Sequence, residues 1–288
     1  MARSEVAPKA CFTISGVIPT RMESRRLPGK PLRPICGRPL LAWVYQRARE
    51  CALMDRLAVA TDSDLILGYC EEHGIPAVLT STLHTSGTDR LIEVMDRDVD
   101  MGQVASVYVN IQGDEPMVSA THIELLLTPF IDQTHEGNIG NSASAGAISE
   151  TESPLRSRGR VQVSTLKVTM SAEEAADSNA VKVVTDSQGL ALYFSRASIP
   201  CDRDRSGQAR YYKHLGFYAY TAHALRLFRS LPPSPLEQIE QLEQLRFLEN
   251  GIPVAVVETA EDTIGVDTEE DLRRVEDYFR RAGLSAQP

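Results

Sequence analysis

The sequence predicts an α/β fold wound around a parallel sheet. Two observations carry that expectation. Through the first half, short β-rich runs alternate with segments whose apolar residues recur at helical period. The 288 residues, 42% hydrophobic, also suffice to bury a large core. One unit spanning 1–288 with an excursion fits this length.

Residues 12–18 (FTISGVI) open the series as a strand, and 56–61, 76–80 and 104–111 continue it. Between the first two, Pro39 starts a helix in which Leu40, Leu41, Val44, Ala48 and Cys51 share one face. Asp62 or Ser63 caps a second helix carrying Leu65, Ile66, Tyr69 and Cys70, which Gly74 can end at positive φ. A third begins near Thr88 with Leu91, Ile92 and Met95 inward. From about 131 to 167, Gly, Ser, Asn and Thr replace large apolar groups, which predicts a flexible connection. Strands resume at 180–185, 190–194 and 214–220, as the sheet's other half or a small excursion; 131–215 thus holds the flexible segment and the excursion. Ser234-Pro235-Leu236-Glu237 joins an N-cap, a helix-starting proline and a reciprocal acid, and predicts a helix running to Gly251.

Composition excludes several classes of function. With 30 basic and 39 acidic residues the net charge is −9, so the general electrostatic footprint of a nucleic-acid binder is absent and any polyanion needs a local basic cluster. The five cysteines are scattered and never spaced C-x-x-C, which argues against a disulfide framework or a zinc site and suits a reducing cytoplasm. The opening segment is broken by Ser15, Gly16 and Pro19, unlike a signal peptide, and no apolar run approaches the roughly 18 residues of a spanning helix. A cytoplasmic protein with no membrane partner is expected.

Three segments carry chemistry. Gly16 to Arg21, followed by Arg25-Arg26-Leu27-Pro28-Gly29-Lys30-Pro31, leaves a strand's carboxyl end, where such sheets bind ligands. It gathers Arg21, Arg25, Arg26 and Lys30, whose forks and point charge suit a triphosphate; a solvated basic loop is the bland alternative. Val109 to Pro116 (VNIQGDEP) places Asp114 after an apolar strand, as a magnesium ligand or as a turn aspartate bonding its own backbone. In Gly265 to Leu272 (GVDTEEDL), Asp267 or Thr268 can cap the terminal helix, which leaves a metal role for Asp267 open.

Taken in order, IPTR…RLPGKPL, ATDS, HTSGTDRL, VNIQGDEPM, SNAVKVV, YFSRASIP, KHLGFYAY, PPSPLEQIEQLEQLR and GVDTEEDLRRVE resemble the CMP-Kdo synthetases (3-deoxy-manno-octulosonate cytidylyltransferases) over nearly the whole chain. The resemblance implies a Rossmann-like mixed-sheet nucleotidyltransferase fold in three αβα layers, with a small excursion through which a homodimer forms. It implies an enzyme that joins CTP to the acidic sugar Kdo, giving CMP-Kdo for lipopolysaccharide or capsule synthesis, with Mg²⁺ as cofactor. By motif position, Thr20, Arg21 and Lys30 would hold the triphosphate and Asp114 and Asp267 the magnesium; Arg21, Lys30, Asp114 and Asp267 form the catalytic set. Ser86, Thr88 and Arg90 would lie near the nucleoside. The sugar would meet Gln112, Arg196, His214, Tyr218 and a helical patch of Glu240, Glu243 and Gln244.

Each sugar residue has a plainer reading: His214 and Tyr218 as core residues on one strand face, Glu240, Glu243 and Gln244 as a solvated helix face. Thr20 stands where this loop usually has Ala, Cys201 where an aromatic is usual, and 138–167 is longer than in most members. Those departures leave a different acidic or amino-substituted sugar as one alternative. A non-catalytic nucleotide-binding homologue is the alternative of another class.

Overall fold

The computed structural model describes residues 12–24, 26–139 and 160–284. Arg25 and residues 140–159 of the expected connection lie outside them. Among the described residues the strands are β1 (Ile14–Thr20), β2 (Pro34–Ile35), β3 (Arg38–Pro39), β4 (Arg56–Thr61), β5 (Ala77–Leu79), β6 (Val107–Asn110), β7 (Val163–Met170), β8 (Lys182–Thr185), β9 (Ala191–Ser195), β10 (Tyr211–Thr221) and β11 (Val254–Thr259). The helices are α1 (Leu40–Ala48), α2 (Asp64–Glu72), α3 (Gly87–Asp100), α4 (Ala120–Ile139), α5 (Ala172–Ala175), α6 (Ala222–Ser230), α7 (Pro235–Glu240), α8 (Leu245–Glu249) and α9 (Glu269–Arg281).

The central sheet has the order β11-β7-β10-β6-β1-β4-β5. β6, β1, β4 and β5 run parallel. β10 lies antiparallel to both β6 and β7, while β11 is parallel to β7, so the sheet is mixed. β8 and β9 form a hairpin that meets β10 at the Lys213–Lys182 pair. Strand alternation splits β1 between two cores: Ile14 and Ile18 face one layer and Val17 the other. The first core takes Leu41 and Val44 of α1, Ile66 of α2, Leu127 of α4 and Phe279 of α9; the second takes Leu91 of α3, Phe228 of α6 and Phe247 of α8. Three αβα layers result. Each such side chain, buried fully, contributes about 1.5–3 kcal/mol.

Ser63 is the residue that begins α2, and Ser86 caps α3 with Asp89 as its reciprocal partner. Leu65 points outward, at 68% exposure, while Ile66 and Cys70 take the buried face. At the described ends of the expected connection over 131–167 the chain is helix and strand: α4 reaches Ile139 and β7 begins at Val163. β7 is covered on both faces, and its Ser164, Thr165 and Lys167 are buried, so its polar letters imitate a loop. The helix expected from Ser234 to Gly251 is instead two. Gln241 turns left-handed at φ 54 after α7, and the chain drops Leu242 into the second core before α8 starts. Sequence reading also leaves α4, α6 and β11 unassigned.

Candidate active site

β1 ends at the carboxyl edge of the parallel half, beside β6 and β4. From there the chain turns at Gly29, whose φ of 68° favours glycine, into a single 3-10 turn over Lys30–Leu32. That turn sends the Lys30 ammonium between two carboxylates from distant segments: Nζ lies 2.7 Å from Asp114 Oδ2 and 3.0 Å from Asp267 Oδ1. Arg26 closes the group, 2.7 Å from Asp267 Oδ2.

Two backbone features hold the segments together. A Cβ at Gly113 would sit 2.8 Å from the Pro19 carbonyl oxygen and 3.0 Å from Thr20 Cβ, so the loop after β6 can lie against the end of β1 only with glycine there. The Val266 N–H donates to the Asp114 carbonyl at 2.8 Å, which fixes the third segment to the second. Thr268, not Asp267, caps α9, its hydroxyl accepting from the Asp271 N–H at 3.2 Å. Asp267 is thereby left to face Lys30. Burial works against the Lys30 charge, but the fields and hydrogen bonds of Asp114 and Asp267 outweigh it and raise the ammonium's pKa.

Glu115 lies behind Asp114, its Oε1 within 3.1 Å of where a Gly265 Cβ would be. Burial, reinforced by the Asp114 charge, pushes its carboxyl up to about 8. Among the described residues no group of three or more His, Cys, Asp or Glu is placed to enclose a metal. Two hard carboxylates sharing one cation match an ion that takes one or two protein ligands and completes its shell with water and phosphate.

A cavity of about 770 Å³ opens over this cluster, lined by Thr20, Arg21, Lys30, Ser86, Arg90, Asp114 and Asp267 among others. Its size is that of a small-molecule site. Arg90 is only 3% exposed and is committed inward, donating to Thr80 Oγ1 at 2.8 Å and pairing with Asp62. It shapes the wall rather than offering a free cation. The Ser86 hydroxyl caps α3 by accepting from the Asp89 N–H at 3.1 Å.

A second cavity of about 810 Å³ adjoins the first and shares Gln112, Gly87 and Asp267 with it. The N-terminus of α3 is the partition: Thr88 Oγ1 donates to Glu243 Oε2 at 2.7 Å across it. Gln112, His214, Tyr218, Glu243 and Gln244 all line this second space. The Thr165 hydroxyl donates to the Phe217 carbonyl at 2.7 Å, so His214 Nε2, 2.9 Å away, carries the proton and donates to Thr165. Burial pushes the His214 imidazole down to about 3, and burial drives the Tyr218 phenol well up; both stay neutral. Burial also raises Glu243, outweighing the hydrogen bonds from Thr88 and Ser86 that favour its charge.

Arg196 and Glu240 stand apart from the other sugar candidates. Arg196 Nε donates to the Glu240 carbonyl at 2.8 Å and its backbone N–H to Glu240 Oε2 at 2.9 Å, and neither residue lines either cavity. They clamp β9 to α7. The sequence reading misses Asn110 and Glu115, which line the second cavity. The GDEP motif held the signal for Glu115, since a second acid after Asp114 has no turn to serve.

The chain matches the family model described as cytidylyltransferase over residues 15–262. It is 49% identical over 265 residues to the 3-deoxy-manno-octulosonate cytidylyltransferase of Acidobacterium capsulatum, covering 92% of this chain and 96% of that one. With the enzyme of the same name from Koribacter versatilis it shares 47% identity, covering 92% and 89%. A solved CMP:2-keto-3-deoxy-manno-octonic acid synthetase complexed with CTP superposes with a TM-score of 0.80 at 38% identity, over 94% of this chain and 99% of that one. A Bacillus anthracis structure named as a glucose-1-phosphate thymidylyltransferase, in complex with sucrose, superposes at TM-score 0.60 and 13% identity, over 93% and 96% of the two chains, and shows a shared fold.

Proposed function

The chain belongs to the cytidylyltransferase family, and on that premise we propose that it transfers CMP from CTP to 3-deoxy-manno-octulosonate, releasing pyrophosphate. One observation carries the reading: a loop rich in cations meets two carboxylates, Asp114 and Asp267, at the junction of two cavities. CTP would occupy the first, with its phosphates toward Thr20, Arg21 and Lys30 and its nucleoside toward the Ser86–Arg90 turn. The sugar would occupy the second, between Gln112, His214, Tyr218, Glu243 and Gln244, with the Arg196–Glu240 clamp holding the far wall.

Asp114 and Asp267 fit Mg²⁺ as hard oxygen donors; when bound, the ion would neutralise phosphate charge and acidify a coordinated hydroxyl. The protein's own groups do the rest by position. Lys30, kept protonated by two carboxylates, is within reach of the phosphates in the same cavity, and there it would stabilise charge growing on the leaving pyrophosphate. The sugar's anomeric hydroxyl attacks the α-phosphorus and gives up its proton to water; the new P–O bond forms as the α-phosphorus bond to the bridging oxygen breaks and its electrons leave with pyrophosphate. Neutral His214 and Tyr218 orient the sugar by hydrogen bonds and carry no charge into the site. No protein nucleophile is required.

No described helix is long and apolar enough to cross a membrane. We read the protein as cytoplasmic and dimeric, with the β8–β9 hairpin, whose Leu192 is exposed, at the dimer surface; sedimentation at a monomer's rate would remove that part of the reading. The function itself is tested by mass spectrometry of products from enzyme, CTP, Mg²⁺ and Kdo. CMP-Kdo with equimolar pyrophosphate is expected. Turnover only with a different sugar in a panel, or CTP binding without any turnover, would overturn it.

A further inference from the structure

We propose that Asn110 is a further specificity-determining residue, whose buried amide receives a hydroxyl of the polyhydroxylated acceptor in the second cavity. The inference rests on the reading that this cavity takes the sugar.

Asn110 ends β6, a strand whose other residues are Val107, Tyr108 and Val109. It is 1% exposed, and its Oδ1 has no hydrogen-bond partner among the described residues. Desolvating an amide oxygen without a partner is costly, and an apolar residue would suit this strand better if packing were the only demand. Strand register shows where the group faces. Asn110 pairs with Tyr218, so the two side chains leave the sheet on the same face, and both line the second cavity.

A second amide repeats the pattern. Gln244 is 6% exposed, lines the same cavity, and its Nε2 also lacks a partner. One orphan is an acceptor and the other a donor. A sugar hydroxyl can serve as either, so a polyol is the ligand class that satisfies both. Thr165 and His214, by contrast, are already bonded to each other on the same sheet face and have less left to offer.

The test crosses a protein change with substrate changes. Initial rates of pyrophosphate release at saturating CTP are measured for wild type and Asn110→Ala, using Kdo and analogues each lacking one hydroxyl. Against Kdo, Asn110→Ala should lose about tenfold in kcat/KM while the KM for CTP holds. With one particular deoxy analogue, wild type should lose a similar factor and the variant nothing more. If every analogue costs both enzymes equally, or if the KM for CTP rises as much as that for the sugar, the assignment fails. A wild-type crystal with the sugar bound gives a readout independent of the variant's folding: a hydroxyl within hydrogen-bond distance of the Asn110 amide supports the proposal, and an amide facing only water beside bound sugar overturns it. Absence of wild-type turnover with Kdo would instead bring down the reading of the site, whereas normal turnover without coupling removes Asn110 alone.

Discussion

Gly113→Ala probes the closest backbone approach in the site. The added methyl would fall 2.8 Å from the Pro19 carbonyl oxygen, and that obstacle is main chain that cannot swing aside. Ordinary contact needs about 3.4 Å or more, so the loop bearing Asp114 must retreat from the end of β1 by roughly half an ångström or more. Overpacking of this kind costs about 1–3 kcal/mol of stability. Activity should suffer more, because the retreat separates Asp114 from Lys30 and from the phosphates it must share; a misplacement near 1 Å can cost about 10²-fold in rate. Pyrophosphate release at varied CTP and Mg²⁺, alongside thermal melting, separates the two effects. A fall in kcat of about a hundredfold with a melting shift of only a few degrees is expected. Gly113→Ala with wild-type kcat and metal dependence would refute the claim that this contact sets the carboxylate's position.

Asp114→Asn should abolish turnover while Lys30 keeps its bond to Asp267 and the fold survives, as circular dichroism and a rate assay would show; full activity would contradict it. Arg90→Met breaks the buried pair with Asp62 and should cost about 3 kcal/mol, lowering the melting midpoint by roughly 5 °C; a change of a degree or less would mean the pair carries little. For His214 the folded value of about 3 lies below the ordinary 6.5, so the unfolded chain takes up a proton that the folded state refuses. Its contribution is therefore undiminished above pH 6.5 and erodes by up to about 1.4 kcal/mol per pH unit as pH falls toward 3. Urea unfolding at pH 7 and 5 should show wild type losing about 2 kcal/mol more than His214→Gln, and equal losses would disprove the neutral buried imidazole. Chelation with EDTA should stop turnover and added Mg²⁺ restore it; activity that persists would remove the metal from the scheme.

The parallel half was legible because its cues are local. β1, β4, β5 and β6 are apolar runs followed by helices with serine caps or apolar faces, and each was assigned within a few residues. β7 was hidden because it pairs on both edges, with β10 and β11, so its buried Ser164 and Thr165 carry polar letters into the core. The break at Gln241 was invisible for a related reason: no glycine marks the left-handed turn, which depends on Leu242 reaching the second core. At the site, the basic loop with Arg21 and Lys30 is readable as charge concentrated after a strand, whereas Asp114 and Asp267 read equally as turn and cap residues and are singled out by the family resemblance; all four line one cavity. Motif alone does not show that Arg196 and Glu240 bond each other and line neither cavity, because those partners meet only in tertiary structure. Asn110 left no trace in the sequence, where it reads as the polar end of a strand.

The most direct measurement is anomalous diffraction from crystals grown with CTP and Mn²⁺ in place of Mg²⁺. The account predicts a peak within about 2.5 Å of carboxylate oxygens of both Asp114 and Asp267, against the CTP phosphates, with Lys30 drawn from the carboxylates toward phosphate oxygen. Manganese bound elsewhere, or CTP seated with the Lys30 bridge between the two aspartates unbroken, would contradict it.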